Sequence, residues 1–163
     1  MNWIIMDSKK MAFHTHLNVL FKPIYDIIDN YNWLLSDIEH GGTDNYIDLP
    51  INHFDDYFIL SPQKFKTLLD IDVQIWWGVI SGIPINKTVI VDEDNLPYSE
   101  GNELTWLNGN LQHPDAEIEV TCWDSARTVL KFKDEDISGK FKSYFDEAFE
   151  LEQLSEEIKN RGY

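Results

Sequence analysis

Cysteine is almost missing from this chain: Cys122 stands alone among 163 residues. A single thiol excludes an internal disulfide framework and points to a reducing compartment. No stretch approaches the roughly 18 consecutive apolar residues of a membrane-spanning helix. The opening Met1-Asn2-Trp3-Ile4-Ile5-Met6-Asp7 lacks the basic region that begins a secretory signal. The expected location is therefore cytoplasmic, with no membrane association. Catalytic signatures are missing as well. Gly78-Val79-Ile80-Ser81-Gly82 has the wrong spacing for a nucleophile elbow. Gly41-Gly42 makes no phosphate-binding loop and reads as a turn. Asp92-Glu93-Asp94-Asn95 lacks the glycine and the closing glutamate of an EF-hand. Pro114-Asp115 opens like a PD-(D/E)xK nuclease core, but the hairpin that follows has no lysine two residues after an acid. Cys122 falls on the inward-reading face of a strand, where a thiol is inert. The chain is expected not to be an enzyme and to carry no cofactor.

Positive charge is missing from two long segments. Residues 23–63 hold eight acids and no Lys or Arg, and residues 88–126 hold nine acids and again no Lys or Arg. The rest of the chain has 12 acids against 13 bases, so the whole net charge of −16 resides in those two blocks. Acids kept only for solubility would be scattered among lysines. Segregating them costs self-repulsion, which invites a functional reading. Such a protein is repelled by nucleic acid and anionic membranes and attracted to basic proteins.

What is present is apolar and aromatic. Hydrophobic residues make up 43% and aromatic residues 13% of the chain, enough for a core and too much for disorder. One α+β domain spanning residues 1–163 is expected, with a mostly antiparallel sheet. Its centre is Val73 to Ile83, β-branched and aromatic on both parities, with Val73, Ile75, Trp77 and Val79 on one face and Trp76 and Ile80 on the other. Gly78 suggests a bulge or a close approach there. Further strands are expected at Trp3–Met6, Tyr31–Ile38, Tyr57–Leu60 and Thr88–Val91. A hairpin is expected from Glu117–Trp123 and Arg127–Lys133 around Asp124-Ser125-Ala126. Phe13 to Asn30 has helical spacing with a kink at Pro23. Ser61-Pro62 starts a short middle helix that ends near Leu69. Asp134-Glu135-Asp136 starts a last helix whose apolar stripe is Ile137, Phe141, Phe145, Ala148, Leu151 and Leu154.

The partner-binding candidates follow from the charge map. They are Asp37, Glu39, Asp44, Asp48, Asp55 and Asp56 in the first block, and Asp92, Glu93, Asp94, Glu103 and Asp115 in the second. Trp106, among Gly, Asn and Pro, is expected to be the most exposed tryptophan and a potential anchor; Trp76 and Trp77 are expected in the core. If the loops at 40–56 and 92–117 converge, they form one polyanionic face. A competing metal-binding or enzymatic reading would draw on His14, His16, His40 and His53, although an i,i+2 pair on a helix diverges. A third reading is a DNA mimic that inhibits a nucleic-acid-binding protein, which favours carboxylates spaced along an elongated surface.

A small, tryptophan-rich α+β domain with segregated acids, containing Tyr31-Asn32-Trp33 and Cys122-Trp123-Asp124, resembles in general character the immunity proteins of bacterial toxin–immunity pairs. These include contact-dependent growth inhibition and other polymorphic-toxin systems. The resemblance implies a protein that binds and neutralises a cognate toxin domain, often a nuclease, whose basic cleft a carboxylate-rich face could occupy. It implies no role for any particular residue.

Overall fold

The computed structural model describes residues 1–42, 49–71 and 73–154. Seven strands form one sheet in the order β3-β2-β4-β5-β6-β1-β7, with every neighbouring pair antiparallel. They are β1 (Asn2–Ile5), β2 (Tyr31–Gly42), β3 (Tyr57–Leu60), β4 (Val73–Pro84), β5 (Ile118–Trp123), β6 (Arg127–Phe132) and β7 (Phe149–Glu150). Helices bounded within the described residues are α1 (Leu17–Phe21), α2 (Pro62–Leu69) and α3 (Glu135–Tyr144), with 3-10 segments at Lys22–Asn30, leading into β2, at Glu93–Asn95 and at Glu103–Trp106; residues 151–154 are helical as well. This is the α+β class that the sequence predicts. No described helix is long and apolar enough to cross a membrane.

Both faces of the sheet are covered. One carries Trp33 and Leu35 of β2, Ile80 of β4, Val120 of β5, Leu130 of β6 and Trp3 of β1, in a single core with the helices. Trp33 is fully buried, stacked on Phe65 of α2 at 4.3 Å and edge-on to Phe21 of α1 at 5.3 Å. Burying a side chain of that size is worth on the order of 3 kcal/mol. The opposite face, with Leu34 and Ile83, is covered by Val89, Val91 and Leu111 from the long connection between β4 and β5. Ser61 caps α2 by accepting from the Lys64 amide at 3.3 Å, and Asp134 caps α3 by accepting from that of Ile137 at 2.9 Å.

Several boundaries differ from the sequence reading. The N-terminal helical region begins at Leu17 and not near Phe13, although it bends where expected, at Ile24 (φ −122°, ψ 17°) immediately after Pro23. Residues 88–91 form no strand; their valines are apolar because they pack over the sheet, not within it. The helix that opens at Asp134 stops at Tyr144, where the Lys142 ammonium donates to the Asp146 and Ala148 carbonyls as the chain turns back into β7 beside β1, and a new helical turn follows at residues 151–154. Gly41 and Gly42 lie inside β2, not in a turn. Gly41 is required because the Trp76 ring lies where its Cβ would be.

β4 is sandwiched between β2 and β5 as expected, but its faces change over along its length. The β2–β4 register slips between Ser36 and His40, opposite Ile75 to Val79. Val73, Ile75 and Ile80 consequently share one core, while Val79 faces the other way. Gly78 sits at this slip with φ +145°, so the expected irregularity is there.

Candidate functional site

The bulge that reorders β4 also borders a surface cleft. Asp37, in β2 at the slip, adopts φ +56°, a left-handed conformation that Asp tolerates better than most residues. Its carboxylate accepts from the Ser99 amide at 2.7 Å and the Ser99 hydroxyl at 2.8 Å. The Gly78 amide donates to that same hydroxyl oxygen at 3.0 Å, and the Ser36 hydroxyl donates to the Pro97 carbonyl at 2.6 Å. On the other side, the Asp37 amide donates to the Asp56 carbonyl at 3.3 Å. One two-residue irregularity therefore holds a loop from each acidic block.

Between those loops lies a cleft of about 320 Å³, lined by Asp37–Glu39, His53–Asp56 and Leu96–Tyr98, with no Lys or Arg among them. The two acidic blocks also meet where the hydroxyl of Tyr57, next in sequence to the cleft residue Asp56, donates to Glu93 at 3.0 Å. That carboxylate raises the phenol's pKa above its ordinary value. Asp92 caps the short 3-10 turn Glu93–Asn95, leaving Asp94 exposed beside it.

Phe54 stands at the mouth of the cleft, 93% exposed. Its position is fixed by Asn52, whose side-chain oxygen accepts from the Phe54 amide at 2.7 Å and the Asp55 amide at 3.0 Å, while its nitrogen donates to the Asp55 carboxylate at 2.7 Å. A phenyl ring left in water between a histidine and two aspartates is the site's most unusual feature. The sequence reading passed over it. The Asn52-His53-Phe54-Asp55-Asp56 stretch signals a polar turn, but nothing local says that its one apolar residue finds no core.

Not all of the predicted residues reach the cleft. Asp37, Glu39, Asp55 and Asp56 line the cleft; Glu93 does not, but it accepts from Tyr57, the residue after Asp56, and Asp92 and Asp94 flank it in sequence. Asp44 and Asp48 lie outside the described residues. Glu103 and Trp106 belong to a separate 3-10 turn and do not line the cleft. Asp115 is ion-paired to Lys87 at 2.7 Å, which holds its carboxyl below the usual range. Lys87 lies one residue before the second block begins, so a partition by sequence misses it. Asp26 and Asp29 pair similarly with Lys140 and Lys66. Folding thus neutralises acids at the margins and leaves those at the cleft unneutralised by Lys or Arg in any described ion pair.

The tryptophans exchange their expected roles. Trp106 is half-buried, edge-on to Trp123 at 4.8 Å, and Trp123 meets Trp77 at 4.9 Å. Trp76, expected in the core, is 42% exposed. Cys122 is fully buried, and burial pushes its thiol far up, as an inert role requires.

The histidines do not assemble as one group. His16 bridges to Gln74 on one flank of β4, whereas His40 lies on the other flank, in β2. Among the described residues no three His, Cys, Asp or Glu side chains cluster to hold a metal ion. His40 and His53 do stack, at 4.2 Å. Burial, and secondarily His53, lower the His40 pKa. The folded state therefore favours neutral imidazole, while the unfolded chain takes up a proton below about pH 6.5. His40 contributes stability in full above that pH and loses it as the pH falls toward its depressed folded value. Urea unfolding at pH 7.5, 6.5 and 5.5 is expected to show this decline, with a slope of up to about 1.4 kcal/mol per pH unit that His40→Gln flattens. An unchanged slope in the variant would refute the assignment.

Compared with known protein families, curated proteins and solved structures, the chain matches none.

Proposed function

We propose that this protein is an inhibitor of the immunity type, which binds a basic toxin domain and neutralises it through the carboxylate-rich cleft. The observation that carries this reading is the cleft itself: about 320 Å³, walled by both acidic blocks, with no lysine or arginine in its lining and Phe54 93% exposed at its mouth. An exposed aromatic ringed by acids suits the centre of an interface with a cationic surface. Glu39, Asp55, Asp56, Glu93 and Asp94 supply the charge that steers the partner in, and Phe54 supplies apolar contact. Asp37 acts mainly by holding the walls together. A nuclease-type toxin fits this chemistry, because its phosphate-binding cleft must be basic. The reading assigns no catalytic residue, cofactor or direct nucleic-acid contact to this chain. Crowding of the acids at one cleft suits an inhibitor of this kind better than a DNA mimic, which needs charges spaced along an elongated rail.

The test begins with capture of a basic domain from the source cell at low salt, followed by an assay of that domain's toxicity with and without this protein. Replacing Glu39 with Gln, and Asp55 and Asp56 with Asn, is expected to weaken binding about thirtyfold at low salt, each charge giving roughly 0.7 kcal/mol. The difference should shrink as salt rises. Affinity that ignores both the substitutions and the salt would sink the proposal.

A further inference from the structure

The cleft continues into an open sheet edge. Among the described residues β3 is the outermost strand on its side and pairs only with β2. Which of its backbone groups face outward follows from the ladder. The Ile85 amide donates to the Asn30 carbonyl, in line with the β2–β4 register, so even-numbered residues of β2 bond to β4. The Asp37 amide donates to the Asp56 carbonyl, in line with the β2–β3 register, so odd-numbered residues of β2 bond to β3. Trp33 and Leu35 thus bond to Leu60 and Phe58, and the N–H and C=O groups of Tyr57 and Ile59 point away from the sheet. Among the described residues no other backbone group bonds to them.

Natural edge strands are usually blunted by lysine, proline or a bulge. Tyr57-Phe58-Ile59-Leu60 has none of these, and Ile59 is 47% exposed. At the opposite end of the sheet, β7 is only two residues long. The open edge runs directly back through Asp56 and Asp55 into the acidic cleft, beside Phe54.

We propose that the basic partner adds an extended strand to the free edge of β3, placing a lysine or arginine in the cleft and apolar side chains against Ile59 and Phe54. The proposal rests on the inhibitor reading above and names its mode. Charge complementarity selects the occupant: an acid-lined cleft at the end of an uncharged edge fits a segment in which cationic and apolar residues alternate. Side chains two apart on a strand share a face, so one added strand can present each kind to its own surface.

The probe is an acetylated, amidated octapeptide of alternating arginine and valine, compared with the same peptide N-methylated at alternate residues. Methylation removes ladder donors and keeps the charge. At low salt the parent peptide is expected to bind and to slow hydrogen exchange at the Tyr57 and Ile59 amides. The methylated peptide should bind about tenfold more weakly, the loss of one or two hydrogen bonds. Ile59→Pro, which deletes an outward-facing N–H, should cause a similar loss, whereas Asp55→Asn with Asp56→Asn should weaken both peptides alike. Equal binding of the two peptides overturns strand addition and leaves the acidic-cleft reading standing. No binding of either peptide at low salt overturns both. The peptide comparison leaves the protein unaltered, so the test holds even if Ile59→Pro unfolds it.

Discussion

Lys131→Met is expected to destabilise the protein by about 4 kcal/mol, the cost of stranding a carboxylate in the interior. Lys131 and Glu119 face each other across β6 and β5, both side chains fully buried, with the ammonium 3.5 Å from the carboxylate. Burial pushes the Glu119 carboxyl above its ordinary pKa against the pull of Lys131, and it pushes the Lys131 ammonium down. Neither charge is stable there without the other. The pair also has structural work beyond its own attraction. Lys131 donates to the carbonyls of Leu104 at 3.1 Å and Asn110 at 2.6 Å, and Glu119 accepts from the Gln112 amide. The Gln112 side chain accepts from the Tyr98 amide at 3.0 Å, so this network reaches the wall of the cleft. The double variant Glu119→Leu with Lys131→Met removes the stranded charge but not the loss of the carbonyl contacts. It is expected to recover about half of the single variant's deficit. Urea unfolding of both single variants and the double variant measures the coupling, and simple additivity would contradict the account. Faster hydrogen exchange at Tyr98 in Lys131→Met would report the loosened wall.

The second large effect is expected at Gly78. At φ +145° a side chain is strained whatever space it has, and a Cβ there would come within 2.5 Å of Ile38 Cδ1 and 3.2 Å of the Asp37 carbonyl oxygen. Gly78→Ala should cost about 3 kcal/mol from backbone strain and crowding together. Gly78 donates to the Ser99 hydroxyl that Asp37 also engages, so the substitution disturbs the joint between the acidic loops. Thermal unfolding measures the stability loss. Gly82→Ala is the useful comparison, since its backbone needs no positive φ and its Cβ would meet the Trp33 ring at 3.1 Å. If Gly78→Ala proved as mild as an ordinary surface substitution, the bulge would not depend on glycine.

Local chemistry made most of the fold legible. Alternation placed the β5–β6 hairpin, and the turn at Asp124 and Ser125, both at positive φ, closes it as the short spacing requires. Ser61-Pro62 and Asp134 set their helix starts because a cap is a contact over three residues. The errors came where a distant neighbour decides. Val89 and Val91 look like strand residues but serve as a lid over Leu34 and Ile83. Leu151 and Leu154 extend the helical stripe in sequence, yet they pack with Ile4 and Val129 on the opposite face of the sheet.

The candidate site was half visible. Segregated acids could be counted from the sequence, but which of them remain unneutralised depended on lysines far along the chain, such as Lys140 reaching Asp26 and Lys87 reaching Asp115. Trp76 and Trp77 read as core because the run is apolar on both parities, whereas with the register slip opposite them Trp76 is exposed and Trp77 half-buried.

By itself the sequence determined the fold class, the chief helix starts and the existence of two cation-free acidic segments, because each rests on residue type and short spacing. Only the tertiary structure decided that those segments meet, that Phe54 and not Trp106 stands exposed where they do, and that a buried ion pair braces the wall. Those outcomes depend on long-range pairing, in which one bulge in β2 sets the position of a loop some sixty residues away.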